Sequence, residues 1–443
     1  MKSGTWLLRL ALLLLFLGLL FGFLASFAYR LTDAKSGILG FLTLRPLHVT
    51  SAYFGVVLGG LGCVALAIQK ESIKRISFHL LKIHLLLWLI ALAGIFYGYF
   101  TGDFGGREYW EFQPIWALPI LISYFVFLLF YLKNAGSYKN WPVYKWMWFT
   151  GLVFYAFIFI ENYLWIFPYF KEHLMADMTI QWKVNGSIVG AINQMIYGLA
   201  FYLMTKISGD EKMATSKLAF AMYFLGFFNL MFNWGHHIYI LPTDRYIHHI
   251  SYIVSMTEWI ILIRIFYHWN QQLKENKAHY YFFPYRFLMA SDYWVMINLA
   301  IALFMSIPAF NLYTHGTQIT VVHAMGTTIG INTMIVLAGA FYFIKPAFES
   351  LKALKRMSIL FWTSQIALLL FLFTLSGMGI QRALWQAGIT EGVFGQMMQN
   401  SRPWMIGFII TGTLLFISLG SVVLYLLFYS FKGKVNFRLH KRD

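Results

Sequence analysis

The sequence predicts an all-α, polytopic membrane protein of about twelve transmembrane helices, a single domain over residues 1–443 with both termini on the cytoplasmic side. Three observations lead there. Of the 443 residues, 59% are apolar and only 12% charged, and a soluble core cannot absorb that much apolar surface with so little charge to dress it. Apolar runs of about 20 residues, enough to cross a bilayer, recur between charged punctuation along the whole chain. Lys and Arg alternate between the connecting loops in the manner of the positive-inside rule. The composition excludes a soluble nucleotide-binding enzyme and a disordered regulator. The lone cysteine, Cys63, excludes a disulfide framework, an iron–sulfur cluster ligated within the chain and covalent haem attachment through a pair of thiols.

The runs fall at 6–29, 47–69, 77–101, 115–133, 147–168, 179–205, 215–241, 249–268, 290–309, 317–344, 358–378 and 404–430. The first is apolar from Leu10 to Phe27 with no clear small-residue cleavage pattern after it, so it reads as a retained helix and not a signal peptide. The second opens on Arg45-Pro46-Leu47-His48, the third carries His79 and His84, and the sixth carries Gln181, Lys183 and Asn185. The seventh ends on Gly235-His236-His237, the eighth holds Glu258, and the tenth holds His323 and Met325. Most of the 34 Lys and Arg lie at the N-terminus, near 70–82, 133–145, 206–217, 264–286 and 345–356, and in the tail 432–442. The alternate loops hold only Arg30, Lys35, Arg45, Arg107, Lys171, Arg245, Arg382 and Arg402. Membrane topology thus accounts for most of the net charge of +17, and nucleic-acid binding is a poor explanation of it. No soluble domain of any size is present. Substrate binding and electron exchange are left to loops, the bilayer interior or a separate partner protein.

Ionisable side chains inside spans are costly and point to function. His236 and His237 are adjacent, about 100° apart around an α-helix, and Glu258 follows in the next span. Two imidazoles and a carboxylate suit non-haem Fe(II) with open positions. The plainer reading has the histidines capping a helix through backbone or water, and Glu258 as a packing residue or a proton relay. His323 and Met325 stand about 200° apart on a helix, so that one helix offers a ligand to each of two flat cofactors; imidazole and thioether both ligate haem. A methionine in an apolar helix otherwise fills core. Lys183 reads as a side chain snorkelling to the interface, and His248 and His249 as residues of the wet rim. His79 and His84 have no partners at ligand spacing.

These local sequences resemble a known family. The run Asn311-Leu312-Tyr313-Thr314-His315-Gly316-Thr317-Gln318 and on to His323 is similar to the segment before the haem-ligating histidine in the large subunit of cytochrome-c-dependent bacterial nitric oxide reductase, in the haem-copper oxidase superfamily. Gly235-His236-His237 and Glu258 resemble that family's non-haem iron ligands, Arg45-Pro46-Leu47-His48 its low-spin haem site, and Gly106-Arg107-Glu108-Tyr109 its outer loop beside the haem propionates. The resemblance implies a subunit I-like bundle in a bacterial cytoplasmic membrane, holding a low-spin haem b, a high-spin haem b and a non-haem iron. It makes His323 the ligand of the high-spin haem and His48 a ligand of the low-spin haem. His236, His237 and Glu258 become iron ligands, with Glu258 also the catalytic acid. His315 and Arg107 would neutralise propionates, and Glu108 could join a structural calcium. The implied partners are a membrane-anchored cytochrome c subunit or another electron donor, and NO.

The departures carry equal weight. The family's third iron histidine is here Gln181, a weaker and neutral ligand. Its two following carboxylates are Asn185 and Val189, which cannot carry protons. Its His-x-His is His323-Ala324-Met325, so the second ligand of the low-spin haem would be Met325 or be missing. The expected activity is reduction of NO to nitrous oxide, weakened in its proton supply. Disproportionation of NO to dinitrogen and oxygen, which needs no net protons or electrons, is the enzymatic alternative. A non-catalytic haem protein that senses gas or carries electrons is the alternative from another class. A proton-pumping oxygen reductase ranks lower, because copper would prefer three imidazoles, and a secondary transporter lower still.

Overall fold

The computed structural model describes residues 3–30, 40–72, 78–272, 282–348 and 350–432. Helices occupy every expected span: α1 (Ser3–Arg30), α2 (Phe41–Glu71), α3 (His79–Thr101), α4 (Ala117–Asn134), α5 (Val143–Glu161), α6 (Leu174–Ser208), α7 (Lys217–Phe232), α8 (Arg245–Gln272), α9 (Phe282–Ser306), α10 (Gln318–Ile344), α11 (Leu351–Gln386) and α12 (Arg402–Phe431). Eleven are long and apolar enough to cross a membrane among the described residues.

Three helices form the interior. In the most apolar windows of α2, α6 and α10, 89%, 78% and 78% of residues are buried, whereas α3 and α11 reach only 33% and face outward. The interior helices are the ones that carry His48, Asn185 and His323. A helix buried all round needs apolar residues on every face, and α2 supplies them from Phe54 to Ile68 with few interruptions. Around this centre α1 lies along α2, α5 along α6, α3 beside α4, and α12 closes the ring against both α1 and α11.

Two helices change winding where the site lies. After Phe232, α7 tightens into a 3-10 turn, Asn233–Ile238, that contains both histidines. Within α10 the α-helical Gln318–Met325 passes into a π-wound stretch, Gly326–Thr333, before α-geometry resumes at Met334. Thr333 Oγ1 donates to the carbonyl of Thr328 five residues back, at 2.7 Å. Segments of this kind concentrate at functional sites, and this one begins at the residue after Met325.

Candidate haem and metal centre

A cavity of about 790 Å³ runs through the bundle between α1, α2, α6, α7, α9 and α10. Among its lining residues are His48, His236, His237, His315, His323 and Met325, side chains from four separate stretches of sequence. Pockets for small molecules and cofactors typically measure about 300–1,000 Å³, and five imidazoles line this one.

Each imidazole is held by identifiable contacts. His48 Nδ1 lies 2.7 Å from the carbonyl oxygen of Gly18 on α1. A carbonyl can only accept, so Nδ1 carries the hydrogen and the Nε2 lone pair is left for a ligand, the arrangement that orients metal-binding histidines. His236 and His237 sit with ring centroids 4.3 Å apart and planes 32° from parallel. The 3-10 turn brings them together, more tightly wound than the α-helix expected from the sequence. The His236 backbone N–H donates to Ser251 Oγ at 3.1 Å and its carbonyl accepts from Asn311 Nδ2 at 3.4 Å, fixing the pair between α8 and the start of the His315 segment. The Cδ2–Nε2 edge of His237 abuts Gly186 of α6: a Cβ there would stand 2.6 Å from His237 Cδ2 and 2.9 Å from Nε2. Only glycine leaves room for the ring.

His323 is placed from behind. Asn298 Nδ2 of α9 donates to Thr327 Oγ1 at 2.7 Å, and Thr327 Oγ1 donates to the His323 carbonyl at 3.1 Å. His323 Nδ1 is buried without a hydrogen-bond partner. An orphaned ring nitrogen in a wall otherwise made of helix faces, together with the free Nε2 of His48, fits imidazole-ligated haem. His315 packs on Trp182 with centroids 4.9 Å apart, and burial holds its imidazole below the usual histidine range.

The outer-loop residues have charged partners within the protein. Arg107 pairs with the Asp177 carboxylate in the first turn of α6, donates to the Asp177 carbonyl at 3.3 Å and stacks 4.9 Å from the Trp165 ring. It does not line the cavity. Glu108 does, and it is held at 2.8 Å by Arg45, whose second nitrogen takes Glu111 at 2.8 Å. One guanidinium thus bridges two carboxylates where a calcium was expected. Burial raises the Glu111 carboxyl above the usual carboxylate range, against the pull of Arg45. Neither Asp177 nor the Arg45 fork was singled out in the sequence, although the spacing of Glu108 and Glu111 in one short loop was a signal for it. The loop turns at Gly106, where a Cβ would fall 1.6 Å from the Trp110 carbonyl oxygen. Gly106→Ala is expected to cost about 1–3 kcal/mol through overpacking, read as faster proteolysis between residues 102 and 111 in membranes.

Three further placements matter. Gln181 is not among the residues lining the cavity, whereas Asn185 and Val189, at the positions of the family's carboxylates, are. Lys183 does not snorkel alone: it pairs with Glu161 at the end of α5 and lies 5.5 Å from the Trp234 ring. The side chain of Glu258 lies outside the described residues, and α8 reaches the cavity at Met256. Among the described residues no three His, Cys, Asp or Glu side chains form a metal-sized cluster, so His236 and His237 are the described part of the expected iron set.

Comparison with known proteins agrees with this frame. The family model described as cytochrome c and quinol oxidase polypeptide I matches residues 2–414. The chain is 24% identical to cytochrome c oxidase subunit 1 of Rhodobacter capsulatus, over 81% of this chain and 68% of that protein. It is 23% identical to a nitric oxide reductase subunit of Stutzerimonas stutzeri, over 96% of this chain and 93% of that protein. A cryo-EM structure of a haem-copper terminal oxidase dimer shares the fold with a TM-score of 0.76, at 15% identity over 98% of this chain and 85% of its own. With helices in all twelve spans and His48, His236, His237 and His323 on one cavity, the chain belongs to the cytochrome c and quinol oxidase polypeptide I family, the haem-binding oxidoreductases of the haem-copper superfamily.

Proposed function

We propose that this chain is the catalytic membrane subunit of an enzyme acting on nitric oxide. The observation that carries the reading is the side-by-side pair His236–His237 sharing one cavity with His323, while Gln181 stays out of the cavity wall. Copper in oxygen reductases prefers three imidazoles; a pair completed by a carboxylate suits iron. The near full-length match to a nitric oxide reductase subunit supports the same choice.

In this reading His323 holds the high-spin haem b, His48 and Met325 the low-spin haem b, and His236, His237 and Glu258 the non-haem iron, with Gln181 weak or absent as a ligand. Bound there, the metals supply electrons and a Lewis-acidic seat where two NO molecules join. The chain's own residues do the rest. Gly18 fixes the tautomer of His48, Thr327 and Asn298 fix the backbone at His323, and Gly186 leaves room for the His237 ring. His315 and the Arg45 fork with Glu108 and Glu111 set the charge at the outer edge, where propionates would lie; a calcium at Glu108 would have to displace Arg45. The proposed setting is a bacterial cytoplasmic membrane, with a membrane-anchored cytochrome c subunit or another donor as electron source. Asn185 and Val189 in the cavity wall favour a second reading, disproportionation of NO to dinitrogen and oxygen.

Isotope-labelled NO tests the two. Labelled nitrous oxide that requires an added electron donor supports reduction. Labelled dinitrogen with oxygen and no donor supports disproportionation, and binding of NO with neither product leaves a sensor or electron carrier. The ligand set has its own test: Met325→His is expected to lower the midpoint potential of the low-spin haem and turn its spectrum toward the bis-imidazole type, since thioether ligation raises the potential. An unchanged spectrum and potential would remove Met325 from the ligand set.

A further inference from the structure

The cavity-facing stripe of α9 is Leu299, Ala302, Leu303 and Ser306, the spacing of one helix face. Continued toward the start of the helix, that stripe passes Val295 and then Asp292, two turns or about 10 Å below Leu299. Asp292 is only 8% exposed, and its Oδ2 is buried without a hydrogen-bond partner. Among the described residues no cation pairs with it; the nearest basic residue of its own helix, Arg286, is turned to Ser358 at 3.3 Å and to the Phe282 ring at 3.9 Å. Tyr285 stands two further turns down the same stripe, at the end of α9 next to the Lys- and Arg-rich segment 264–286. Above Asp292, Asn298 has its Oδ1 buried and unpartnered while its Nδ2 joins the Thr327–His323 contact. Asp292 Oδ2 and Asn298 Oδ1 are thus two acceptors on one helix, about 9 Å apart along the axis, each suited to buried water.

An ionisable residue with no counter-charge among the described residues of a membrane bundle points to a function, and on this stripe between Tyr285 and the cavity the Asp292 carboxyl group is the side chain that readily releases and regains a proton. We propose that Asp292 relays protons to the cavity from the end of the bundle opposite His236 and His237, in place of the acids missing at Asn185 and Val189. The inference rests on the reading of the cavity as the site of a proton-consuming reduction. For each pair of NO converted to nitrous oxide and water, two electrons and two protons are consumed. In the relay the Asp292 O–H bond breaks, the proton passes to a water oxygen beside Asn298 and on to the oxygen that leaves as water, and the carboxylate regains its proton from solution beyond Tyr285. No electron moves through Asp292.

The experiment uses the whole purified protein with its metals. Redox-difference infrared spectra in H₂O and D₂O are expected to contain a carboxylic acid C=O band that shifts on deuteration, is lost in Asp292→Asn and returns at a displaced frequency in Asp292→Glu. NO consumption should fall about tenfold or more in Asp292→Asn, with haem spectra and CO binding unchanged, and recover in Asp292→Glu. A band that persists in Asp292→Asn overturns the relay whatever gas chemistry the protein performs, and so does a lost band with NO consumption within twofold of wild type. A band lost in Asp292→Asn from a protein that consumes no NO would overturn the proposed reaction and leave proton exchange at Asp292 standing. If Asp292→Asn does not assemble, the deuterium shift of the wild-type band and its displacement in Asp292→Glu decide the matter.

Discussion

Replacing His237 by alanine is expected to remove about one iron per chain while both haems stay in place. The ring is one of two imidazoles on a turn that no other described ligand reinforces, and metal affinity depends steeply on ligand count and on the outer contacts that orient each ligand. His48 and His323, the proposed haem ligands, come from α2 and α10 and not from this turn, so both haems should be retained. Gly186→Ala is the graded version. A Cβ 2.6 Å from the ring must push His237 aside or shift α6, lowering iron content without removing a ligand. Equal iron content in wild type and His237→Ala would show that the pair does not bind metal.

The second large effect concerns protons. Asn185 and Val189 face the cavity, and neither can donate a proton, so in the proposed reaction the step that joins two NO has no acid at these two positions. General acid–base assistance is typically worth about 10²–10⁴-fold. Reduction of NO with an artificial donor should accordingly be slow in the wild-type protein, and Gln181→His with Asn185→Glu and Val189→Glu should raise it by a factor in that range. In the same variant the rate should lose its dependence on Asp292, because the new acids serve the cavity from the other end. A variant that holds both haems and the iron yet turns over no faster would mean that proton supply does not limit the reaction.

How far the sequence reaches can be judged residue by residue. The twelve helices were legible because a bilayer demands about 20 apolar residues in a row, a signal that survives any detail of packing. His48, His236, His237, His323 and Met325 were legible because polar atoms in such runs stand out against their neighbours. Windings were not. The 3-10 turn at Asn233–Ile238 and the π stretch at Gly326–Thr333 use the same residue types as the α-helix around them, and the difference is decided by what each turn packs against. Charge pairing is hidden for a related reason. Lys183 looks like a lone cation in the sequence because Glu161 is on another helix, and Glu108 looks like a free carboxylate because Arg45 is more than sixty residues away. Asp292 is inconspicuous in a long apolar span, where the burial of its Oδ2 without a partner among the described residues only becomes visible in three dimensions.

The π-wound stretch has a consequence for comparing this chain with its relatives. A π turn spans one residue more than an α turn, so the half of α10 that carries His323 and Met325 and the half from Met334 to Ile344 are set in different rotational phase. Val336 and Leu337 are fully buried in that second half. Deleting one residue between 326 and 333 would let the backbone relax into an ordinary α-helix with Val336 and Leu337 kept close to their present faces, whereas a deletion in an α-wound segment between them and His323 would turn them by about 100°. Natural insertions and deletions in this span should therefore be confined to those eight residues, and an alignment that runs α10 through without a gap against a relative lacking the stretch would assign every packing residue beyond it to the wrong face.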